Sequence, residues 1–373
     1  MDFTFTEEQE TVSKLARDLF ERRATQERLT ELEAGDVRFD HALWQELAAV
    51  DLLGTALPES VGGNGGGFVE LGVLLAEVGW AVAPVPAYAT LALGADPIAR
   101  HGNPEQQQRF LPGVVAGKHM LTAGLAEPGR SDATAPATTA RRDGGNWRLD
   151  GVKELVPAAQ FADTVLIPAS MDDGEAGLFL LATDADGVEI RPATTTNREP
   201  HADIHLDGAT VSEADRLVGV DLVDSLRTRA LVALCAVQLG VAERALRIAA
   251  EYTTGREQFG RPIGSFQAVQ QRMADAFIDV EAIRWTTWHA AWLIAHGRPL
   301  KEARRAARIA KFWAAEAGAR VAATAQHVHG GIGIDTTYPL HRYFLWAKHN
   351  ELTLGPATVQ LAQLGATYSE GLP

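Results

Sequence analysis

Thr254-Gly255-Arg256-Glu257-Gln258-Phe259-Gly260-Arg261-Pro262-Ile263-Gly264-Ser265-Phe266-Gln267 is the stretch that decides how this chain folds. It separates two long alanine-rich segments of strong helix propensity, 226–253 and 266–296, and a third follows at 300–327. Within it, the Arg256 guanidinium offers a fork of donors suited to a pyrophosphate, and the Phe259 ring can cover a purine face. Its glycines let backbone approach a ligand closely. A plain helix–helix connection accounts for the same residues, so their meaning depends on the neighbours.

Downstream, His327-Val328-His329-Gly330-Gly331-Ile332-Gly333 closes the third helical segment. Paired glycines supply a left-handed cap and leave backbone N–H groups for an anion. His327 and His329, with His341 or His349, raise a metal reading, but His-x-His alone is weak and no cysteine lies near, so no metal site is expected. These helices are apolar around most of their circumference, as in a bundle or oligomer core. Trp285, Trp288 and Trp292, at i, i+3 and i+7, read as a core or subunit-contact stripe. Cys235, the single cysteine, sits in an apolar helical run and reads as a packed small hydrophobe.

Upstream the character changes. Short β-leaning stretches at 164–169, 178–183, 188–191 and 204–206 are separated by Asp-Gly turns. That spacing predicts a small antiparallel barrel or sandwich. Before it, Val12, Leu15, Ala16, Leu19 and Phe20 mark one helix face, and a flexible turn at Pro58–Gly67 interrupts the helical pattern. The expectation is an α+β chain with a helical domain at 1–118, a β domain at 119–220 and a helical bundle at 221–373.

With 373 residues, two or three domains are expected. The formal net charge of −14 disfavours nucleic acid and anionic membranes, so a phosphate-bearing ligand must be met by local positive groups. No apolar run approaches the roughly 20 residues that a bilayer helix needs. The acidic start and lone cysteine lead to the expectation of a cytoplasmic protein.

Two further stretches are modest alone: Ala126-Glu127-Pro128-Gly129-Arg130-Ser131-Asp132 and Gly151-Val152-Lys153. Taken in order with Pro58-Glu59 and its glycines, Arg256–Gln267 and Gly330–Gly333, they resemble the acyl-CoA dehydrogenase family over nearly the full length. The resemblance implies an N-terminal helical domain, a middle β domain, a C-terminal four-helix bundle, and FAD. Family members oxidise an acyl-CoA to the trans-2-enoyl-CoA: a carboxylate removes the α proton and the β hydrogen leaves as hydride to the flavin.

Here the resemblance also exposes departures. The two positions where the family carries its base hold Leu354 and Thr228. Where the family packs Trp-Ile-Thr on the flavin, this chain has Leu155-Val156-Pro157, and proline lacks both N–H and hydroxyl. Ala126 replaces a threonine and Pro356 replaces another. By contrast, the segments that in the family reach a neighbouring subunit's FAD are kept. Arg256, Gln258, Phe259, Gln267, Gly330 and Gly331 stand in place, with His327 where glutamine is common.

The expectation is a non-catalytic subunit that shares FAD at an interface with a paralogous catalytic subunit in an α2β2 assembly that binds acyl-CoA. It resembles the paired acyl-CoA dehydrogenases that some actinobacteria use in steroid side-chain degradation, which implies a bulky acyl group. Two other readings stand beside it: a self-sufficient flavoenzyme using Glu351 as base, and a flavin-free assembly scaffold.

Overall fold

The computed structural model describes residues 4–35, 38–130 and 134–369. In chain order the helices are α1 Glu7–Arg23, α2 Gln26–Ala34, α3 His41–Ala49, α4 Phe68–Ala81, α5 Asp96–His101 and α6 Pro104–Val115. Strands follow: β1 Leu121–Ala123, β2 Thr139–Asp143, β3 Asn146–Pro157, β4 Thr164–Ser170, β5 Ala176–Ala182, β6 Val188–Ala193, β7 His201–Ser212 and β8 Arg216–Leu217. The chain then returns to helix in α7 Leu222–Gly255, passes the hairpin β9 Glu257–Gln258 and β10 Arg261–Pro262, and ends with α8 Gln267–Ala295, α9 Leu300–His329, α10 Leu340–Leu352 and α11 Ala357–Ser369. A helical part, a β part and a second helical part thus succeed one another, as the α+β expectation required.

Contacts group the chain differently from the sequence order. One compact unit comprises 1–29, 72–83 and 231–373, and the other 30–71 and 84–230. In the first, α9 packs against α8, α10 and α11. Its inward stripe is almost all alanine (Ala303, Ala307, Ala310, Ala314, Ala317), which lets neighbouring helices come close. The approach is tightest between α4 and α7. A Cβ on Gly240 would lie 1.8 Å from the Ala76 carbonyl oxygen, and one on Gly79 would lie 1.9 Å from the Val237 carbonyl oxygen. Only two glycines facing each other permit this backbone contact. Across the same unit, Arg17 of α1 grips Glu77 of α4 through Nε at 2.6 Å and Nη2 at 2.9 Å.

In the second unit, one sheet runs in the order β6-β7-β3-β2-β4-β5-β8, with β1 beside β4. The pairs are antiparallel as expected, except that β1 and β2 run parallel to β4. The β3/β7 side and the β4/β5 side share one core: Trp147, Leu149 and Val211 meet Ile167, Phe179 and Leu181. Four strands match the expected stretches. β2 and β3 were not expected as strands, because Arg141-Arg142-Asp143 and the charges of β3 mask the alternation that buries Trp147 and Leu149.

The Pro58–Gly67 segment corrects an expectation. It is a tightly hydrogen-bonded loop rather than a flexible turn, with Gly63 N–H donating to Pro58, Gly65 N–H to Leu57 and Gly66 N–H to Thr55 carbonyls. Among the described residues, no helix is long and apolar enough to cross a membrane. Cys235 is fully buried in α7, and desolvation pushes its thiol up to about 12, so it packs rather than reacts.

Candidate functional site

In the first unit, the 256–267 stretch forms the β9–β10 hairpin, with Gln258 paired to Arg261. Phe259 and Gly260 make the two-residue turn, and both have positive φ (54° and 76°). That is the turn hairpin strands favour, and it normally takes Asn-Gly. A phenylalanine there costs about 1 kcal/mol in backbone strain, and the ring recovers little by burial because Phe259 is 92% exposed. Its edge meets Phe266 at 6.1 Å, and Arg261 covers the Phe266 ring at 4.1 Å. Arg256, just beyond α7, is exposed, and among the described residues its guanidinium has no hydrogen bond or ion pair. The Gln258 amide donates to the Glu257 carbonyl at 2.8 Å, and Gln267 opens α8 with its side chain exposed.

The second stretch ends α9. His327 is exposed, whereas His329 is buried, with Nδ1 2.7 Å from the Ala325 carbonyl and Nε2 3.1 Å from the Tyr338 hydroxyl. Burial pushes the His329 pKa down, against the Ala325 contact. The two histidines serve different surroundings, and among the described residues no group of three metal-ligating side chains occurs. Gly330 and Gly331 are exposed, and a Cβ added at either would meet nothing within 4 Å.

One contact joins the two stretches. Tyr252, one turn ahead of Arg256 on α7, stacks on His329, one residue ahead of Gly330. The hairpin and the glycine pair therefore lie at the same end of the bundle. Sequence reading had no hold on Tyr252 or Tyr338. The i to i+4 spacing of Tyr252 and Arg256 was the available signal.

Leu354 follows α10 in the same unit, half-buried, with φ 58°. Gln360 Nε2 donates to the Leu354 and Gly355 carbonyls at 2.9 and 3.1 Å, and buried Lys311 donates to the Asn350 and Glu351 carbonyls at 2.9 and 3.0 Å. The loop is firmly held, but the side chain it presents is aliphatic. Glu351 is ion-paired with Lys348 on its own helix.

In the second unit, Thr228 is 2% exposed, between buried Arg227 and Arg229. Arg229 is committed to Asp96 and covers the Phe68 ring. Leu155 has φ 48° and is 50% exposed, its N–H donating to Asp203 Oδ1 at 2.8 Å. The Pro157 carbonyl accepts from Thr122 at 2.7 Å.

Glu127 and Lys153 belong to the interior of this unit. Lys153 Nζ meets Glu127 Oε1 at 2.6 Å, and Thr138 Oγ1 donates to the same oxygen at 2.6 Å. Burial opposes the Glu127 anion, but the bonds from Lys153, Thr138 and the Ala137 N–H prevail and hold its carboxyl down to about 2. This pair fastens the 126–130 loop to β3. Ser131 and Asp132 lie outside the described residues.

Three family models divide the chain among them: the acyl-CoA dehydrogenase N-terminal domain over residues 6–118, the middle domain over 122–209 and the C-terminal domain over 225–368. The chain is 42% identical to acyl-CoA dehydrogenase FadE27 of Mycobacterium tuberculosis, over 99% of each protein. FadE28 of the same organism is 33% identical, also over 99% of each. Among solved structures, the ChsE4-ChsE5 complex from Mycobacterium tuberculosis matches with TM-score 0.95 and 41% identity over 100% of each chain. A variant of the Tcur3481-Tcur3483 steroid ACAD matches with TM-score 0.93 and 45% identity over 98% of each. The chain belongs to the acyl-CoA dehydrogenase family.

Proposed function

We propose that this chain is the non-catalytic subunit of a heteromeric, FAD-dependent acyl-CoA dehydrogenase, and that it completes the FAD site of a paralogous catalytic subunit. One juxtaposition carries the reading: exposed Arg256, Phe259, Gly330 and Gly331 gathered at one bundle end, in a chain with Leu354 and Thr228 at the base positions. Two of the similar structures bear names that pair two proteins, and one of those names includes steroid. They support a partner acyl-CoA dehydrogenase subunit; that the assembly is α2β2 and acts on a bulky, steroid side-chain acyl-CoA is part of the proposal.

The donor set fits the adenosine diphosphate half of FAD. Arg256 meets pyrophosphate charge with a fork of N–H groups, Phe259 covers the adenine face, and the Gly330–Gly331 backbone admits close approach. His327, Gln258 and Gln267 supply polar contacts around them. Bound there, FAD would supply the hydride acceptor for an α,β-dehydrogenation. The proton step needs an ionisable group. Leucine and threonine cannot take it, so the partner provides the carboxylate.

Arg256→Ala in the co-expressed complex tests this reading. A charge-assisted clamp is worth about 1.5–3 kcal/mol, so FAD should dissociate roughly 10–150-fold more readily while the complex stays assembled. Unchanged flavin retention would leave the chain as an assembly scaffold only and contradict the proposal.

A further inference from the structure

Within the unit formed by 30–71 and 84–230, a cavity of about 280 Å³ opens between the C-terminal end of α2, the end of β6 and the segment leading into β7. No residue assigned above to the flavin site lines it, so the inference stands apart from the proposed function.

Its wall is polar and only partly satisfied. Arg38 is buried and already engaged: its guanidinium donates to the Asn197 carbonyl and lies 3.7 Å from the Glu33 carboxylate. Glu199 receives the Asn197 amide on Oε2 at 2.6 Å. Protein atoms crowd that carboxyl, and the loss of water pushes it up to about 7 even though Arg38 and Asn197 favour its anion. Gln160 Oε1 is buried with no hydrogen-bond partner. The carbonyl end of α2 adds partial negative charge, and no basic side chain stands in its last turn. Against these, Arg198 is exposed at the rim.

Two carboxyl groups, a helix C-terminus and an unpartnered amide oxygen therefore share one buried guanidinium. An anion would face both glutamates and the carbonyl end of α2. We propose that this cavity binds a small organic cation bearing N–H donors, an alkylammonium or alkylguanidinium group. Its N–H groups complete Gln160 and Glu199, its charge replaces the water that Glu199 has lost, and its alkyl part lies along Leu32, Pro192 and Pro200. Such a group arrives either as a free molecule or as a lysine or arginine side chain of a partner chain.

The probe is n-butylguanidinium, followed by saturation-transfer NMR on the full chain, alone and co-purified with its partner subunit. Because the bound form needs ionised Glu199, affinity should be about tenfold higher at pH 8 than at pH 6. The other charged groups on this wall are Arg38, Glu33 beside it and Arg198 at the rim, and burial pushes His201, which abuts the Glu199 carbonyl, toward its neutral form. Glu199→Gln, verified as folded by its thermal transition, should lose the signal, and n-pentanol should not compete. Binding that persists in the complex identifies a free ligand. Binding lost in the complex, with Glu199→Gln loosening the partner, identifies a partner side chain. Absence of binding to the wild type, equal binding to Glu199→Gln, or equal competition by n-pentanol would overturn the proposal.

Discussion

Tyr252 and His329 stack with ring centroids 4.1 Å apart and planes 22° from parallel, tying the end of α7 to the end of α9. Arg256 lies one turn beyond the first residue and Gly330 one residue beyond the second. The stack sets the spacing of the two segments proposed to lend their groups to FAD. Aromatic pairs are worth about 0.5–1.5 kcal/mol beyond their area. His329→Ala removes that stack together with a buried ring and its contacts to Ala325 and Tyr338, so it should cost about 2–5 kcal/mol in stability of the chain and lower the flavin-to-protein ratio of the purified complex severalfold. Absorbance of the complex after gel filtration measures the flavin ratio, and a denaturant titration of the chain measures the stability.

Phe259 allows stability and function to be separated. Its positive φ and exposure mean that the chain itself gains little from the ring. Phe259→Gly should leave the unfolding free energy from urea titration unchanged or raise it, by up to about 1 kcal/mol. The same change should weaken FAD retention in the complex, because a stacking surface is lost. A fall in both together would mean that the ring serves this chain's own fold.

Glu127 and Lys153 predict an acid-sensitive loop. The Glu127 carboxyl is held down to about 2 in the folded chain, from an ordinary 4.5. The stability it contributes is present above pH 4.5 and is lost as pH falls toward 2, about 3 kcal/mol in all. Lys153→Met leaves a buried carboxylate without its cation and should cost about 3–5 kcal/mol at neutral pH. Denaturant titrations at several pH values between 3 and 7 would show whether the variant's deficit shrinks on the acid side, as it should.

Lys311 predicts the opposite edge of the pH range. Burial pushes its ammonium down to about 8, partly offset by Cys235 and Glu351. Between pH 8 and 10.5 the unfolded chain therefore holds more protons than the folded one, and this group makes stability rise with pH, by up to about 3 kcal/mol. In Lys311→Met the rise should vanish. Denaturant midpoints of the two proteins at pH 8, 9 and 10 would reveal it.

Local signals carried far in this sequence. Helix propensity and turn residues placed α8 and α9 within a few residues, because such segments need no distant partner to declare their period. Strand β3 was hidden because its pattern makes sense only when paired with β7, some fifty residues later. The same holds for Lys153, whose place in the Gly151-Val152-Lys153 stretch gives no sign that its Nζ binds Glu127 in the interior. His329 looked like half of a His-x-His pair. Its partner is Tyr252, seventy-seven residues earlier on another helix, which no spacing rule connects. That Leu354 and Thr228 are not carboxylates needs no geometry to be noticed; that they stand at base positions is what the family resemblance implies.

Ownership of the flavin separates a lending subunit from a self-sufficient enzyme. The most direct measurement is the FAD-to-chain ratio and acyl-CoA oxidation of this protein purified alone, beside the same protein co-purified with its paralogous partner. The account predicts little FAD and no turnover for the chain alone, and an active complex holding fewer flavins than chains. One FAD per chain with dehydrogenase activity in the isolated protein would contradict it.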